Sequence, residues 1–307
     1  MLIGKTSVWI EEADSQSILE RRIKGGKSTP NAILAKKGEK KATLAAIYAY
    51  LVSKGDKTLT FTNNLVKEIT GGNLSNQFDV TKIDTSAKIP EDLQREDLFI
   101  VHVGGGRHRF VKGITHGYHK FEPVPKSKIY PWEYVPSMLD GTDKSEAGVL
   151  SLAFNQQIIQ HFLFGDRTVP LRIHIPRRTR GKLLNSFNYN IGGAVVQVNN
   201  LQIEMDFIVE KNGSLAVGEA KYSPKTGFFP NDFAVAQVYL PYRRLLKLRD
   251  EKKWKTNARC MFVVQYRPTP NHEAIRIYEY DFEDPNNMAS IKMRRNAEYR
   301  LKVARLE

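Results

Sequence analysis

The sequence holds one cysteine, Cys260, in 307 residues. That excludes an internal disulfide and any zinc site built from several thiolates. Its apolar neighbours Met261, Phe262, Val263 and Val264 mark it as a core thiol. Long hydrophobic runs are missing too. The best candidate, Ala42 to Val52, covers about three helical turns, where a membrane span needs roughly 20 residues. The N-terminal apolar stretch is short and meets Glu11 and Glu12, unlike a secretory signal. There is no lipidation motif and no basic amphipathic helix, so no membrane partner and a cytoplasmic location are expected. A Gly-x-x-x-x-Gly-Lys-Ser/Thr loop is absent, which argues against a nucleotide cofactor and ATP-driven translocation. No nucleophile elbow accompanies the Ser, His and Asp residues. His116 and His119 have helical spacing but sit in a glycine-containing stretch without a convincing third ligand.

Acidic residues are also in deficit: 33 Asp+Glu face 47 Lys+Arg, giving a net charge of +14. Both sides of Pro125 share the excess, which favours a polyanionic partner. Arg177, Arg178, Arg180 and Lys182 form a basic cluster that can follow a phosphate backbone. A hydrophobic content of 41% and the chain length fit two globular domains. The stretch Pro123–Pro136, rich in Pro, Lys and aromatic residues, reads as a surface connector, and places the division at 1–125 and 126–307.

In the first part, Leu44, Ile47, Tyr48 and Leu51 follow helical spacing, and Gly55 ends that helix. A strand-like run over 58–62 precedes a second helix with Leu65, Val66 and Ile69, capped by Asn63 or Asn64. A third helix is predicted from near Ser75 towards Ile83. The period then changes: Leu98–Val103, three glycines at 104–106 and Arg107–Lys112 read as a hairpin with a basic returning strand. This order over residues 40–115 resembles the winged helix-turn-helix family. The resemblance implies that Asn76, Gln77 and Lys82 read DNA from the third helix, with Arg107 and Arg109 on the wing. The plainer alternative is a flexible hairpin in a mixed α/β domain.

In the second part, Asp143 and Glu146 have capping-box spacing before a helix through Val149, Leu150, Phe154, Ile158 and Phe162. Residues 169–176 alternate like a half-buried strand. Over 202–209, period two places Ile203, Met205, Phe207 and Val209 on a core face, with Glu204 and Asp206 opposite. After Asn212–Gly213, the strand 215–221 puts Glu219 and Lys221 on one face. Carboxylates and an ammonium so close to a core need something to organise them, and Mg²⁺ with oxygen ligands would do so. The alternative is a pair of salt bridges on a sheet face.

Asp206 followed by Glu219–Ala220–Lys221, within the order helix, three strands, helix, strand over residues 143–280, resembles the PD-(D/E)xK nuclease superfamily. The resemblance implies that Asp206, Glu219 and the Ala220 carbonyl bind Mg²⁺ and that Lys221 orients or activates the attacking water. Glu146 is open to two readings, an additional acid on the preceding helix or a capping residue. Glu204 is either a helper at the metal or an exposed side chain. Gln237 resembles the glutamine of a Gln–Tyr exonuclease motif, although Tyr239 and Tyr242 depart from its spacing. Pro241 is expected to kink or break the helix over 232–248.

The expected fold class is mixed α/β: a winged helix-like domain, then a nuclease domain with a central mixed sheet flanked by helices. The expected function is Mg²⁺-dependent, site-specific cleavage of double-stranded DNA by a homodimer resembling a type II restriction endonuclease. A transposon-end or repair nuclease needing a partner, RNA processing, and a non-catalytic DNA-binding regulator remain alternatives.

Overall fold

A computed structural model describes residues 40–72, 78–136, 144–174, 184–211, 213–253 and 255–304. The predicted Asn76, Gln77, Arg177, Arg178, Arg180 and Lys182, and the capping residue Asp143, lie outside them.

The apolar stripe of the first helix forms α1 (Lys40–Ser53), which buries Leu44, Ile47 and Leu51. Then follow β1 (Thr60–Thr62), α2 (Asn63–Ile69), α3 (Phe78–Thr81) and α4 (Glu91–Arg95), the last not foreseen. Strands β2 (Leu98–Gly104) and β3 (Arg107–Lys112) complete an antiparallel sheet of order β1-β3-β2. The cap of α2 is Thr62, whose hydroxyl accepts from Leu65 N–H, rather than Asn63 or Asn64. Asn63 serves the hairpin instead: its N–H donates to Gly106 O, and its side-chain oxygen meets His108 Nε2 at 2.8 Å.

A short helix α5 (Ile114–Gly117) and β4 (Tyr118–Lys120) lead to β5 (Ile129–Tyr134). The expected surface connector is therefore partly a strand. Trp132 is buried and packs edge-on to Tyr299, while Pro131 on this edge strand is exposed.

The expected long helix is two helices, α6 (Glu146–Asn155) and α7 (Ile158–Phe164), separated where Gln157 takes a left-handed φ of 59°. Strand β6 (Arg172–His174) begins three residues later than the predicted 169–176, whose last two residues lie outside the described ones, and is exposed along its length as the outermost strand of its sheet. A hairpin that sequence reasoning passed over follows, β7 (Leu184–Ile191) and β8 (Ala194–Gln202). Next come β9 (Phe207–Lys211), β10 (Ser214–Ser223), β11 (Asp232–Ala234), α8 (Ala236–Lys252), β12 (Asn257–Thr269), β13 (His272–Phe282) and β14 (Ile291–Val303).

These strands build a seven-stranded mixed sheet of order β5-β14-β13-β12-β10-β9-β6, so the chain is mixed α/β. Strand β12 runs parallel to β10, and α8 supplies the crossover that such a connection requires. Period two sorts β12 onto two cores. Cys260, Phe262 and Val264 pack with Val238, Tyr239, Tyr242 and Leu245 of α8. Met261 and Val263 pack with Val149, Leu150, Ile158 and Ile159 of α6 and α7. Helices on both faces explain why the central strand is a continuous apolar run.

The α8-side core continues without a break into Leu44, Ile47, Phe61, Val66, Leu98 and Phe110. Packing thus crosses residue 125. At one crossing, a Cβ on Gly104 would stand 1.8 Å from the carbonyl oxygen of Asn199 in β8, so only glycine fits there.

Candidate active site

The site forms where one strand outruns its neighbour. Strand β9 pairs with β10 only as far as Phe207↔Gly218, whereas β12 stays paired through Ser223. Glu219 to Ser223 therefore have a strand on one side and an open edge on the other. Gly218 permits this arrangement: a Cβ there would meet the Phe207 ring at 2.1 Å.

Asp206 lies one residue before β9, in a bend rather than in the expected continuous strand 202–209. The interruption has a packing cause. Ile203 and Met205 enter the α8-side core, Phe207 and Val209 the opposite core, and the chain changes layers between them. Asp206 Oδ2 accepts the Ala220 N–H at 2.8 Å, closing the edge that β9 leaves. The N–H and C=O of a strand residue point to the same side, so the Ala220 carbonyl also faces this edge.

Lys221 Nζ donates to Glu219 Oε1 at 2.6 Å and to Glu146 Oε1 from the first turn of α6. The helix cap is Ser145, which accepts from Gly148 N–H, leaving Glu146 to face Lys221 instead of closing a capping box. Gln237, in the first turn of α8, donates from Nε2 to Glu219 Oε1 at 2.9 Å. Its own Oε1 is buried without a hydrogen-bond partner. The helix runs unbroken through Pro241, which removes the bond that the Gln237 carbonyl would accept.

These contacts set the protonation states. Burial pushes the Glu219 carboxyl up to about 7, with Asp206 adding to the rise and Lys221 opposing it. Burial also raises Asp206, while the Ala220 N–H, Lys221 and a hydrogen bond with Glu219 pull it back. For Lys221, burial alone would lower the ammonium, but Glu219 and Glu146 outweigh it and hold it charged. Glu219 thus holds its proton up to near neutrality, beside a fixed cation.

The structure brings Asp206, Glu219, Lys221, Glu146 and Gln237 together, with Ala220 contributing its backbone. It leaves Glu204 out: that side chain is exposed and accepts from Gln202 Nε2, because the bend after β8 turns it away from Asp206. Among the described residues, no three His, Cys, Asp or Glu side chains form a metal cage on their own. The donor set for a cation is two carboxylates plus the Ala220 carbonyl, with the orphaned Gln237 oxygen beside them. That set of hard oxygens suits Mg²⁺ with retained waters.

Of the expected DNA-binding residues, Lys82 and Arg107 are exposed. Arg109 is half-buried against the β7–β8 hairpin, where its Nη1 reaches Val195 O at 3.3 Å, so that side of the β2–β3 hairpin is covered. His119 is bonded to Glu122 at 2.7 Å and joins no metal cluster among the described residues. Sequence reasoning missed the β7–β8 hairpin, although the alternation on both sides of Gly192–Gly193 is its signature.

A family model described as a domain of unknown function, DUF6997, matches residues 113–300, more than half of the chain. The chain belongs to the DUF6997 family. A second model, the domain of unknown function DUF6996, matches residues 48–110. No curated protein and no solved structure matches the chain. The DUF6997 region contains every residue of the cluster, from Glu146 to Gln237, and the β7–β8 hairpin. The DUF6996 region spans the last six residues of α1 and the sheet β1-β3-β2 as far as Phe110. Their junction lies at the end of β3, ahead of the division expected at residue 125.

Proposed function

We propose that this protein is a Mg²⁺-dependent endodeoxyribonuclease of the PD-(D/E)xK kind, acting on double-stranded DNA. One observation carries the reading: Glu219 and Lys221 of β10 meet Asp206, from the bend just before β9, where the pairing of β9 with β10 stops and the edge of β10 is open. Salt bridges on an ordinary sheet face need neither the interrupted strand nor a carboxyl held near neutrality.

A Mg²⁺ ion held by Asp206, Glu219 and the Ala220 carbonyl would supply charge neutralisation at the phosphoryl oxygen. The chain's own residues do the rest. Lys221, kept cationic by Glu219 and Glu146, orients the attacking water and opposes the charge that develops at phosphorus. Glu146, the least buried acid of the cluster, holds the second side of the ammonium. Gln237 fixes the Glu219 carboxylate through Nε2, and its free oxygen can accept from a water in the site.

Recognition of DNA falls, on this reading, to a winged helix-like region. Its support is the helical segments α1 to α3 around a three-stranded sheet with β3 central, and exposed Lys82 and Arg107. The net charge of +14 suits the same partner. One such site cuts one strand, so a homodimer of the type II restriction kind follows for double-strand cleavage. No helix among the described residues is long and apolar enough to cross a membrane.

A second reading has its own observation. Because Lys221 is closed on both sides by carboxylates, the cluster can serve to tie β10 to α6 in a DNA-binding protein without catalysis. Incubating supercoiled plasmid with the protein separates the two. A nuclease relaxes or linearises it with Mg²⁺ and not with EDTA; a binding protein only retards it.

A further inference from the structure

Most arginines near the large sheet are matched to acids. Arg259 and Arg295 share the buried Glu279, Arg276 and Arg300 share the buried Glu298, and Arg294 pairs with Asp281. Two consecutive arginines in α8 differ. Among the described residues, no carboxylate forms an ion pair with Arg243 or Arg244, and the Nε of each is buried without an acceptor. A guanidinium that has no acid of its own and is only half-buried keeps its outer N–H donors for an anion from solution.

The two are not equivalent. The Arg243 guanidinium lies 5.5 Å from the ring centre of Phe187, so it is engaged by the β7–β8 hairpin. Arg244 follows Gln237 by seven residues, which is two helical turns. It therefore sits on the same flank of α8 as the residue that touches Glu219, about 10.5 Å further along the axis. That distance is comparable to one or two backbone steps of a DNA strand, whose successive phosphates are roughly 6–7 Å apart. A guanidinium there, half-buried and without an acid of its own, suits a phosphate oxygen.

We infer that Arg244 binds a backbone phosphate of the DNA strand lying in the active site, one or two nucleotides from the phosphate that is cut. This rests on the nuclease reading above. Arg244 is a binding and positioning residue: it sets the register of the strand and carries no sequence information.

The test is the salt dependence of binding of the full chain to a 24-base-pair duplex (about two turns) in EDTA, where no cleavage intervenes. Each phosphate contact contributes about 0.9 to the slope of log K against log salt. Arg244→Ala is expected to flatten that slope by about 1 and weaken binding roughly tenfold at low salt. Arg244→Lys should recover most of the slope. Arg294→Ala, whose guanidinium is already paired with Asp281, should match wild type. Equal slopes and affinities for wild type and Arg244→Ala, with wild type still cutting in Mg²⁺, would overturn this inference alone. A wild-type protein that binds no duplex at all would overturn it together with the nuclease reading.

Discussion

The Ala220 N–H donates to Asp206 Oδ2 across 2.8 Å, at the point where β9 stops pairing with β10. An acid thus replaces the next rung of a ladder, and the same side chain is left facing the open edge of Glu219 to Ser223. One interaction finishes the sheet and builds the site.

Asparagine and alanine at this position should therefore separate structure from chemistry. Asp206→Asn keeps an oxygen for the Ala220 N–H and is expected to melt close to wild type, yet to lose cleavage by a hundredfold or more. Asp206→Ala leaves the N–H without a partner and should lose about 1–3 kcal/mol of stability as well. Thermal melts beside DNA cleavage rates check both.

Glu219 makes stability depend on pH in the opposite sense from an ordinary ion-paired acid. Burial pushes its carboxyl up to about 7 in the fold, against the ordinary 4.5 that it recovers on unfolding. Between those values the folded state holds a proton that the unfolded state has lost. Stability should fall as pH rises from 4.5 through 7, and change little above that from this group. The span corresponds to an effect on the order of 3 kcal/mol. Glu219→Gln should lack this component and be the more stable protein at pH 8 without metal, as urea unfolding at pH 5, 6.5 and 8 would show. Metal binding, which needs the ionised carboxylate, should take up less Mg²⁺ below pH 7 and release a proton there.

Gln237 acts through Glu219, so its loss should resemble removal of an outer ligand. Gln237→Ala is expected to reduce cleavage about 10–100-fold while DNA affinity in EDTA stays the same. Steady-state cleavage over a range of Mg²⁺ concentrations should show a higher metal requirement, partly rescued by excess Mg²⁺.

Gly104 tests the contact between the two halves of the chain. It has a φ of 89° and a neighbour, Asn199 O, inside the space of any Cβ. Gly104→Ala should cost about 1–3 kcal/mol, whereas Gly105→Ala, with open space around it, should lose only the smaller strain of its φ. Differential scanning calorimetry of the two variants gives the comparison.

What the sequence made legible follows its periodicities. The stripe in α1, the apolar run of β12 and the alternation of β10 each depend on local spacing, and the alternation alone set Glu219 and Lys221 on one face. Asp206 was legible as a residue but not in its setting. Period two continues through Ile203, Met205, Phe207 and Val209, although the first pair and the second pair enter different cores. A change of layer leaves no mark on alternation. Glu204 was misplaced for the same reason. The cap of α6 is Ser145, two residues after the predicted Asp143, which moves Glu146 from the third helical position to the first, where it faces Lys221. The unpaired state of Arg244 had no sequence signal at all, since it depends on which arginines the acids of β13 and β14 take.

The most direct test compares wild type with Lys221→Ala on supercoiled plasmid and on phage DNA, each with Mg²⁺ and with EDTA, alongside DNA binding in EDTA. The expected result is discrete fragments from wild type only, and only with Mg²⁺, while both proteins bind DNA alike. Equal cleavage by Lys221→Ala would contradict the assignment of this cluster as the active site. Tight binding by both with no cleavage in any metal would contradict the nuclease itself.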